Sequence, residues 1–144
     1  MSNPLFINTT LPKFSAIQPE HILPIIDSIL ADYQASIERL LADTNSRDFA
    51  GVMLPQEVLE DQLNRVWAPI SHLHSVKDSE TLREVYSVAL EKITKHATEL
   101  GQNRELYAAV KAVTQAPNYA TLDRAALRQR VYLRAVLRTP HDAR

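Results

Sequence analysis

Two histidines lie one residue apart in the stretch LNRVWAPISHLHSV, residues 63–76, which also holds the only tryptophan, Trp67. Histidine binds metal ions and transfers protons near neutral pH, so His72 and His74 are the first candidates for chemistry. Successive side chains on a helix turn by about 100°, so these two rings point roughly 200° apart and cannot hold one ion from one helix face. We therefore interpret them as polar residues that flank a packed helix.

The remaining histidines do not complete a metal site either. His96 and Glu99 have a spacing that is compatible with metal ligation, but the sequence offers no third or fourth ligand, so a solvated helix face is the preferred interpretation. His21, beside Glu20, marks the start of a helix, and His141 lies in a tail that we expect to be disordered. The run H-E-x-x-H, in which two histidines bind zinc and a glutamate acts as base, does not occur.

Nucleophilic and acid–base centres are not indicated by the sequence. Ser71 is next to His72, but a serine nucleophile needs a histidine base, an orienting acid and usually a strained turn such as G-x-S-x-G. Carboxylate pairs such as Glu60 with Asp61 lie on polar helix faces, where they are solvated. The chain has no cysteine, which excludes disulfides, thiolate metal sites and cysteine nucleophiles. We predict no catalytic, cofactor-binding or metal-binding residue in this chain.

Composition argues against nucleic acid and membrane as partners. The formal net charge is −1, which gives no electrostatic attraction to polyanions. The one basic cluster has a single aromatic residue, Tyr132, among its arginines, which are Arg124, Arg128, Arg130, Arg134, Arg138 and Arg144. No apolar run reaches the roughly 18 residues of a membrane span, and the N-terminus lacks the basic region of a secretory signal. We expect a cytoplasmic protein.

Apolar residues at steps of three and four predict an all-α fold, an antiparallel bundle or array of about five helices. The first helix runs from Pro19 to about Ala42, and Pro24 should kink it or loosen its first turn. A polar connection over residues 43–54, which carries a few anchoring apolar residues, follows, and Pro55 then opens the second helix. The apolar seam of the second helix comprises Leu59, Leu63, Val66, Ile70 and Leu73, with Trp67 beside it and Pro69 as an expected kink.

Cap residues separate the later helices. Asp78 or Ser79 should cap a third helix, which ends where Gly101 takes a left-handed conformation. The buried face predicted for this helix comprises Leu82, Val85, Tyr86, Ala89, Leu90, Ile93, Ala97 and Leu100. Asn103 should cap a fourth helix that stops before Pro117, and Thr121 should start a fifth.

We divide the chain, which has the length of one domain, into three segments. They are an extended N-terminal segment, residues 1–18, a helical region, 19–120, and a divergent arginine-rich C-terminal helix and tail, 121–144. Trp67, Tyr86 and Tyr107 stand at helical spacing among aliphatic residues and are most simply core or interface aromatics.

Three blocks in this order resemble one known family: LPKFSAIQPEHILPIIDSIL, LNRVWAPISHLHSVKDSETLREVY and TELGQNRELYAAVK. They are similar to the N-terminal part of the oligopeptidase A-like zinc metallopeptidases in the thimet oligopeptidase family. The resemblance covers about residues 11–125. It implies an almost wholly helical clamshell in which this chain helps to build one lobe and a channel wall.

The resemblance also implies where the chemistry of such an enzyme lies. Zinc is held by H-E-x-x-H and a later glutamate in the distal half, and no catalytic or zinc-binding residue has a matching position here. We therefore expect no cofactor on this chain, and no activity from it alone. Its implied partners are the rest of the peptidase or a second copy, through exposed apolar surface, and short peptides in the intact enzyme.

The sequence departs from the family pattern after about Leu127, where it reads QRVYLRAVLRTPHDAR from residue 129. This change motivates the hypothesis of a truncated or frameshifted product, with a naturally short protein as the alternative. The alternative function is a stand-alone helical module that binds a peptide or a protein.

Overall fold

The protein is all-α in the parts that the structure, a computed structural model, describes: residues 3–5, 13–77 and 79–122. Four α-helices lie in these ranges, α1 (Ile22–Ala42), α2 (Leu54–Val76), α3 (Glu80–Gln102) and α4 (Arg104–Val113). The predicted fold class is confirmed. The predicted fifth helix lies outside the described residues from position 123 on, and Thr121 itself ends a short 3-10 turn, Pro117–Thr121.

The start of α1 is tightened into a 3-10 turn, Pro19–His21, that leads directly into the α-helix. Pro24 is the third residue of α1, where a backbone N–H has no partner within the helix, so the proline costs no hydrogen bond. At the other end, the Arg47 guanidinium donates to the carbonyl oxygens of Leu40 (3.1 Å) and Leu41 (2.8 Å). The predicted end of the helix at Ala42 is confirmed, and the kink or loosened first turn expected from Pro24 stays a prediction.

The polar connection after α1 is shorter than the sequence suggested. A π-helical turn, Phe49–Met53, occupies its second half and buries Val52 and Met53. The Asp48 carboxylate caps this turn by accepting a hydrogen bond from the Gly51 N–H at 2.9 Å. Gly51 also lies so close to Ser46 that an added Cβ would be 2.1 Å from the Ser46 carbonyl oxygen. This close approach, rather than a positive φ, is what requires glycine there.

Side-chain caps begin α3 and α4 as predicted. The Ser79 hydroxyl accepts from the Leu82 N–H at 3.2 Å, and the Asn103 side-chain oxygen accepts from the Leu106 N–H at 2.9 Å. The predicted left-handed Gly101 is wrong, because Gly101 continues α3 and its φ is not positive. Asn103 provides the break instead: its extended backbone ends α3 while its side chain starts α4.

The buried side chains form two clusters, which we call core A and core B. Core A joins the start of α1 to the end of α2 and the start of α3; it consists of Leu5, Ile17, Ile22, Ile25, Ile26, Val66, Ile70, Leu82 and Ala89. Core B joins the end of α1 to the start of α2, the π-helical turn and α4; it consists of Tyr33, Ile37, Leu40, Val52, Met53, Leu59, Leu106, Ala109, Val110 and Val113. This pairing of ends makes α1 and α2 antiparallel.

The apolar seam predicted for α2 lies on these cores. Leu59, Val66 and Ile70 are buried, and Leu63 and Leu73 are partly buried against core A. Pro69 is also buried within α2, and the kink expected there stays a prediction.

The N-terminal segment is less extended than the sequence suggested. Phe14–Ala16 forms a 3-10 turn, and Leu5 and Ile17 are buried in core A. The Asn3 side-chain amide donates to the His21 carbonyl at 2.7 Å, which fastens this segment to the start of α1.

Candidate functional site

The histidines of LNRVWAPISHLHSV lie in α2 and contact different partners. His74 stacks on Tyr86 of α3, with ring centroids 3.8 Å apart and planes 10° from parallel. Trp67 stacks on the same tyrosine at 4.9 Å and 21°. His72 is exposed and contacts the Phe14 ring at 5.3 Å. The stretch therefore holds α2 against α3 and the N-terminal segment, which agrees with its interpretation as a packed helix flanked by polar residues.

His96 occupies a different place from the one that the sequence suggested. It is buried, with only 9% of its surface exposed, whereas we predicted that it lies on a solvated face of α3. Leu90 and Ala97, which we predicted on the buried face, are exposed. The spacing alone admits both His96 and Ala97, because steps of three and four from Ile93 towards Leu100 reach either position.

The surroundings of His96 are apolar. Its ring meets the Tyr33 ring of α1 edge-on, with centroids 4.8 Å apart and planes at 72°. Its Nε2 atom is buried and has no hydrogen-bond partner among the described residues. Burial lowers the pKa of His96 below its ordinary value, and the nearby Glu99 carboxylate opposes that shift.

The carboxylates that the sequence placed near potential sites face other groups. Glu99 lies 3.9 Å from the Lys95 ammonium on the exposed side of α3, so it does not join the buried ring of His96 in a ligand pair. Asp61 pairs with Arg65 at 2.6 Å on the surface of α2. In the described ranges, histidine, aspartate and glutamate nowhere form a group of three or more that is arranged to hold a metal ion.

Ser71 and His21 have local structural roles. The Ser71 carbonyl accepts a hydrogen bond from the Ser75 hydroxyl at 2.9 Å within α2. Nδ1 of His21 accepts from the Gln18 N–H at 3.1 Å and thereby helps to cap the turn that precedes α1. The C-terminal arginines, Tyr132 and His141 lie outside the described residues. Among the described residues, His21, Asp61 and His74 thus cap, pair and pack helices.

No helix in the described part of the chain combines the length and the apolar character that crossing a bilayer requires.

Comparison with known proteins relates the chain to one family. The sequence profile of the neurolysin/thimet oligopeptidase N-terminal domain matches residues 26–139. Oligopeptidase A of Salmonella typhimurium is 39% identical over 125 residues, which cover 87% of this chain and 18% of that protein. Oligopeptidase A of Haemophilus influenzae is 39% identical over 120 residues, covering 83% of this chain and 18% of the relative.

A plant relative aligns over a similar region. The probable cytosolic oligopeptidase A of Arabidopsis thaliana is 32% identical over 130 residues, which cover 90% of this chain and 18% of that protein. The chain thus spans about a fifth of the length of these relatives.

The matched region extends further than the three sequence blocks suggested. The profile continues to residue 139, so the predicted end of the resemblance near Leu127 was too early. Because the profile covers most of the sequence, this chain belongs to the neurolysin/thimet oligopeptidase family and corresponds to its N-terminal domain.

Proposed function

We propose that this chain is the N-terminal helical region of an oligopeptidase A-like zinc metallopeptidase that degrades short peptides. The observation that carries the proposal is the match of residues 26–139 to the N-terminal domain of the family. The chain also spans only 18% of the length of the oligopeptidase A relatives, so most of such an enzyme corresponds to sequence that this chain does not contain. In this proposal the helices form part of a channel wall and exclude folded substrates.

We further propose that this region supplies no zinc ligand and no catalytic residue. The H-E-x-x-H run is missing from its sequence. The rings of His72 and His74 contact different aromatic residues, and His96 is buried beside Tyr33. These residues do not fit a zinc site, so no step of peptide hydrolysis is assigned to them. The chain by itself is expected to be inactive.

The partner proposed for this region is the rest of the peptidase, with a second copy of the chain as the substitute when that part is missing. Exposed large apolar side chains support this proposal, since such groups tend to be covered by an interface. They are Phe14, Leu54, Val58, Val76, Val88 and Leu90. A cytoplasmic location is proposed as well, and the name of the Arabidopsis relative, probable cytosolic oligopeptidase A, supports it.

The direct test is a chimera with a known relative. Residues 1–139 of this chain replace the aligned N-terminal region of Salmonella typhimurium oligopeptidase A, and cleavage of a short fluorogenic peptide is measured. We expect the chimera to cleave the peptide, because the grafted helices complete the lobe. A matched deletion that lacks this region should fold poorly or lose its preference for short peptides. A folded, zinc-loaded chimera without activity would contradict the proposal.

The isolated chain provides the complementary test. We expect no peptide hydrolysis and no stoichiometric zinc in the purified 144-residue protein. Turnover that persists after contaminating peptidases have been removed would overturn the assignment of the chemistry to the distal part.

The alternative function, a stand-alone binding module, is supported by the same exposed apolar side chains. It predicts a monomer that melts sharply and binds a peptide or protein with a defined stoichiometry. Concentration-dependent self-association in sedimentation experiments would instead favour a lobe that lacks its natural interface.

A further inference from the structure

His96 lies at the junction between the two cores. On α3, Ile93 packs against core A and Leu100 packs against core B, so His96 stands at the point where the helix passes from one cluster to the other. Its ring contacts Tyr33, the first residue that α1 contributes to core B. The contact between His96 and Tyr33 therefore joins α1 to α3 where the cores meet.

The burial of His96 restricts which form of the ring fits this junction. A neutral imidazole carries one proton, and its other nitrogen is an acceptor. Because Nε2 is buried without a hydrogen-bond partner among the described residues, a proton there would leave a donor unsatisfied. We therefore assign the proton of the neutral ring to Nδ1. The cation has N–H groups on both nitrogens, so it necessarily places a charged donor in the apolar junction.

The charged groups around the junction are at the surface. Asp27 of α1 and Lys92 of α3 form an ion pair at 2.6 Å one turn before His96, and both side chains are substantially exposed. Glu99, one turn after it, lies near Lys95. His96 is the one buried polar or charged side chain of the described ranges, so the charged residues of α1, α2 and α4 remain half-buried or exposed. A cation at Nε2 would lie beside the Tyr33 ring without a hydrogen-bond acceptor among the described residues.

We propose that His96 makes the packing of α1 against α3 sensitive to pH, because the neutral ring seals the junction of the two cores and the protonated ring loosens it. The direction follows from linkage. The unfolded chain binds a proton at His96 more readily than the folded chain does. The contribution of the neutral ring to the free energy of unfolding is therefore fully present above the ordinary pKa of histidine, about 6.5. That contribution is lost as the pH falls below this value. This inference is independent of the proposed peptidase function.

The test is urea unfolding of the full chain between about pH 8 and pH 5, the range in which histidine titrates. Trp67 fluorescence and far-ultraviolet circular dichroism report the transition. We expect the unfolding midpoint of the wild type to fall over this range and that of His96→Leu to change much less. His72→Gln is the matched control, because His72 is exposed, and it should keep the wild-type dependence. Equal slopes for the wild type and His96→Leu would overturn the proposal.

The carboxyl of Asp43 titrates below the pH range of this test. Asp43 accepts a hydrogen bond from the Asn45 N–H, and that bond lowers the pKa of its carboxyl. Its contribution is present above the ordinary aspartate value, about 3.9, and is lost only at lower pH. The loss expected between pH 8 and 5 is therefore separate from the titration of Asp43.

A measurement on the wild type covers the case in which His96→Leu does not fold. Nitrogen-15 NMR of the histidine rings should show the Nδ1–H tautomer for His96 and a pKa below the ordinary histidine value of about 6.5. Amide exchange, corrected for its intrinsic pH dependence, should lose protection around Tyr33 and His96 at low pH. A pKa for His96 at or above the ordinary value would mean that the Tyr33 ring stabilises the cation, and that result would overturn the proposal.

Discussion

Core A and core B share α1 and α2 but are completed in different ways. Core A contains only aliphatic side chains, and it is closed by α3 and by Leu5 and Ile17 of the N-terminal segment. Core B includes Tyr33 and is closed by α4 and the π-helical turn, with the polar His96 at its border. Two long helices thus supply the frame of both cores. The buried members of core A include no titratable side chain, whereas His96, which can titrate, lies at the border of core B.

The substitutions with the largest expected effect test whether the two cores unfold together. Ile26→Ala in core A and Ile37→Ala in core B each remove a side chain with 0% exposure from the same helix. Each should lower the free energy of unfolding by about 2–5 kcal/mol, from lost burial and a residual cavity. Urea unfolding is followed by circular dichroism and by Trp67 fluorescence, which reports core A because that side chain packs against it.

We expect both variants to shift both signals equally, because α1 runs through both cores. If Ile37→Ala shifts the circular dichroism transition and leaves the Trp67 transition unchanged, the cores unfold separately and the comparison becomes one between two independent units.

The next largest expected effect is a difference in stability between alanine substitutions at the two glycines. At Gly51, beside core B, an added Cβ would meet the backbone of Ser46, so Gly51→Ala should lower the stability by about 1–3 kcal/mol through forced backbone movement. At Gly101, within α3, no atom lies within 4 Å of the added Cβ. Gly101→Ala should therefore raise the stability by about 0.5–1 kcal/mol.

Thermal unfolding of the two glycine variants measures this difference directly. The same substitution should have opposite signs at the two positions. A stabilising Gly51→Ala would show that the turn before α2 can move away from Ser46, and that the backbone beside core B shifts at little cost in free energy.

The smallest effect concerns the caps. Ser79→Ala removes the cap of α3, whose first buried residue, Leu82, belongs to core A; Asn103→Ala removes the cap of α4, which belongs to core B. Each should cost about 1 kcal/mol. Amide exchange should show Ser79→Ala loosening the start of α3 and Asn103→Ala loosening α4. Equal loosening of both helices by either variant would mean that the cores respond as one body at their edges too.

Local sequence patterns predicted much of this structure correctly and missed a defined part of it. The C-terminal end of α1, the seam of α2 and the caps Ser79 and Asn103 depend on residues close in sequence, so spacing was sufficient to predict them. Predicting that no catalytic or metal site exists rests on missing motifs and stays a prediction. His96 was assigned to the wrong face of α3 because its polarity outweighed its position in the apolar period. Its burial depends on Tyr33, which lies in another helix.

The sequence by itself determined the helical class, most helix boundaries and the resemblance to one peptidase family, because hydrophobic period, capping side chains and ordered blocks of sequence are local properties. Only the tertiary structure decided that Gly51 touches Ser46, that Gly101 continues α3, and that His96 rather than Ala97 faces the junction of the cores. These outcomes depend on how closely separate segments approach. Such distances are set by the packing of whole helices, and no single stretch of sequence records them.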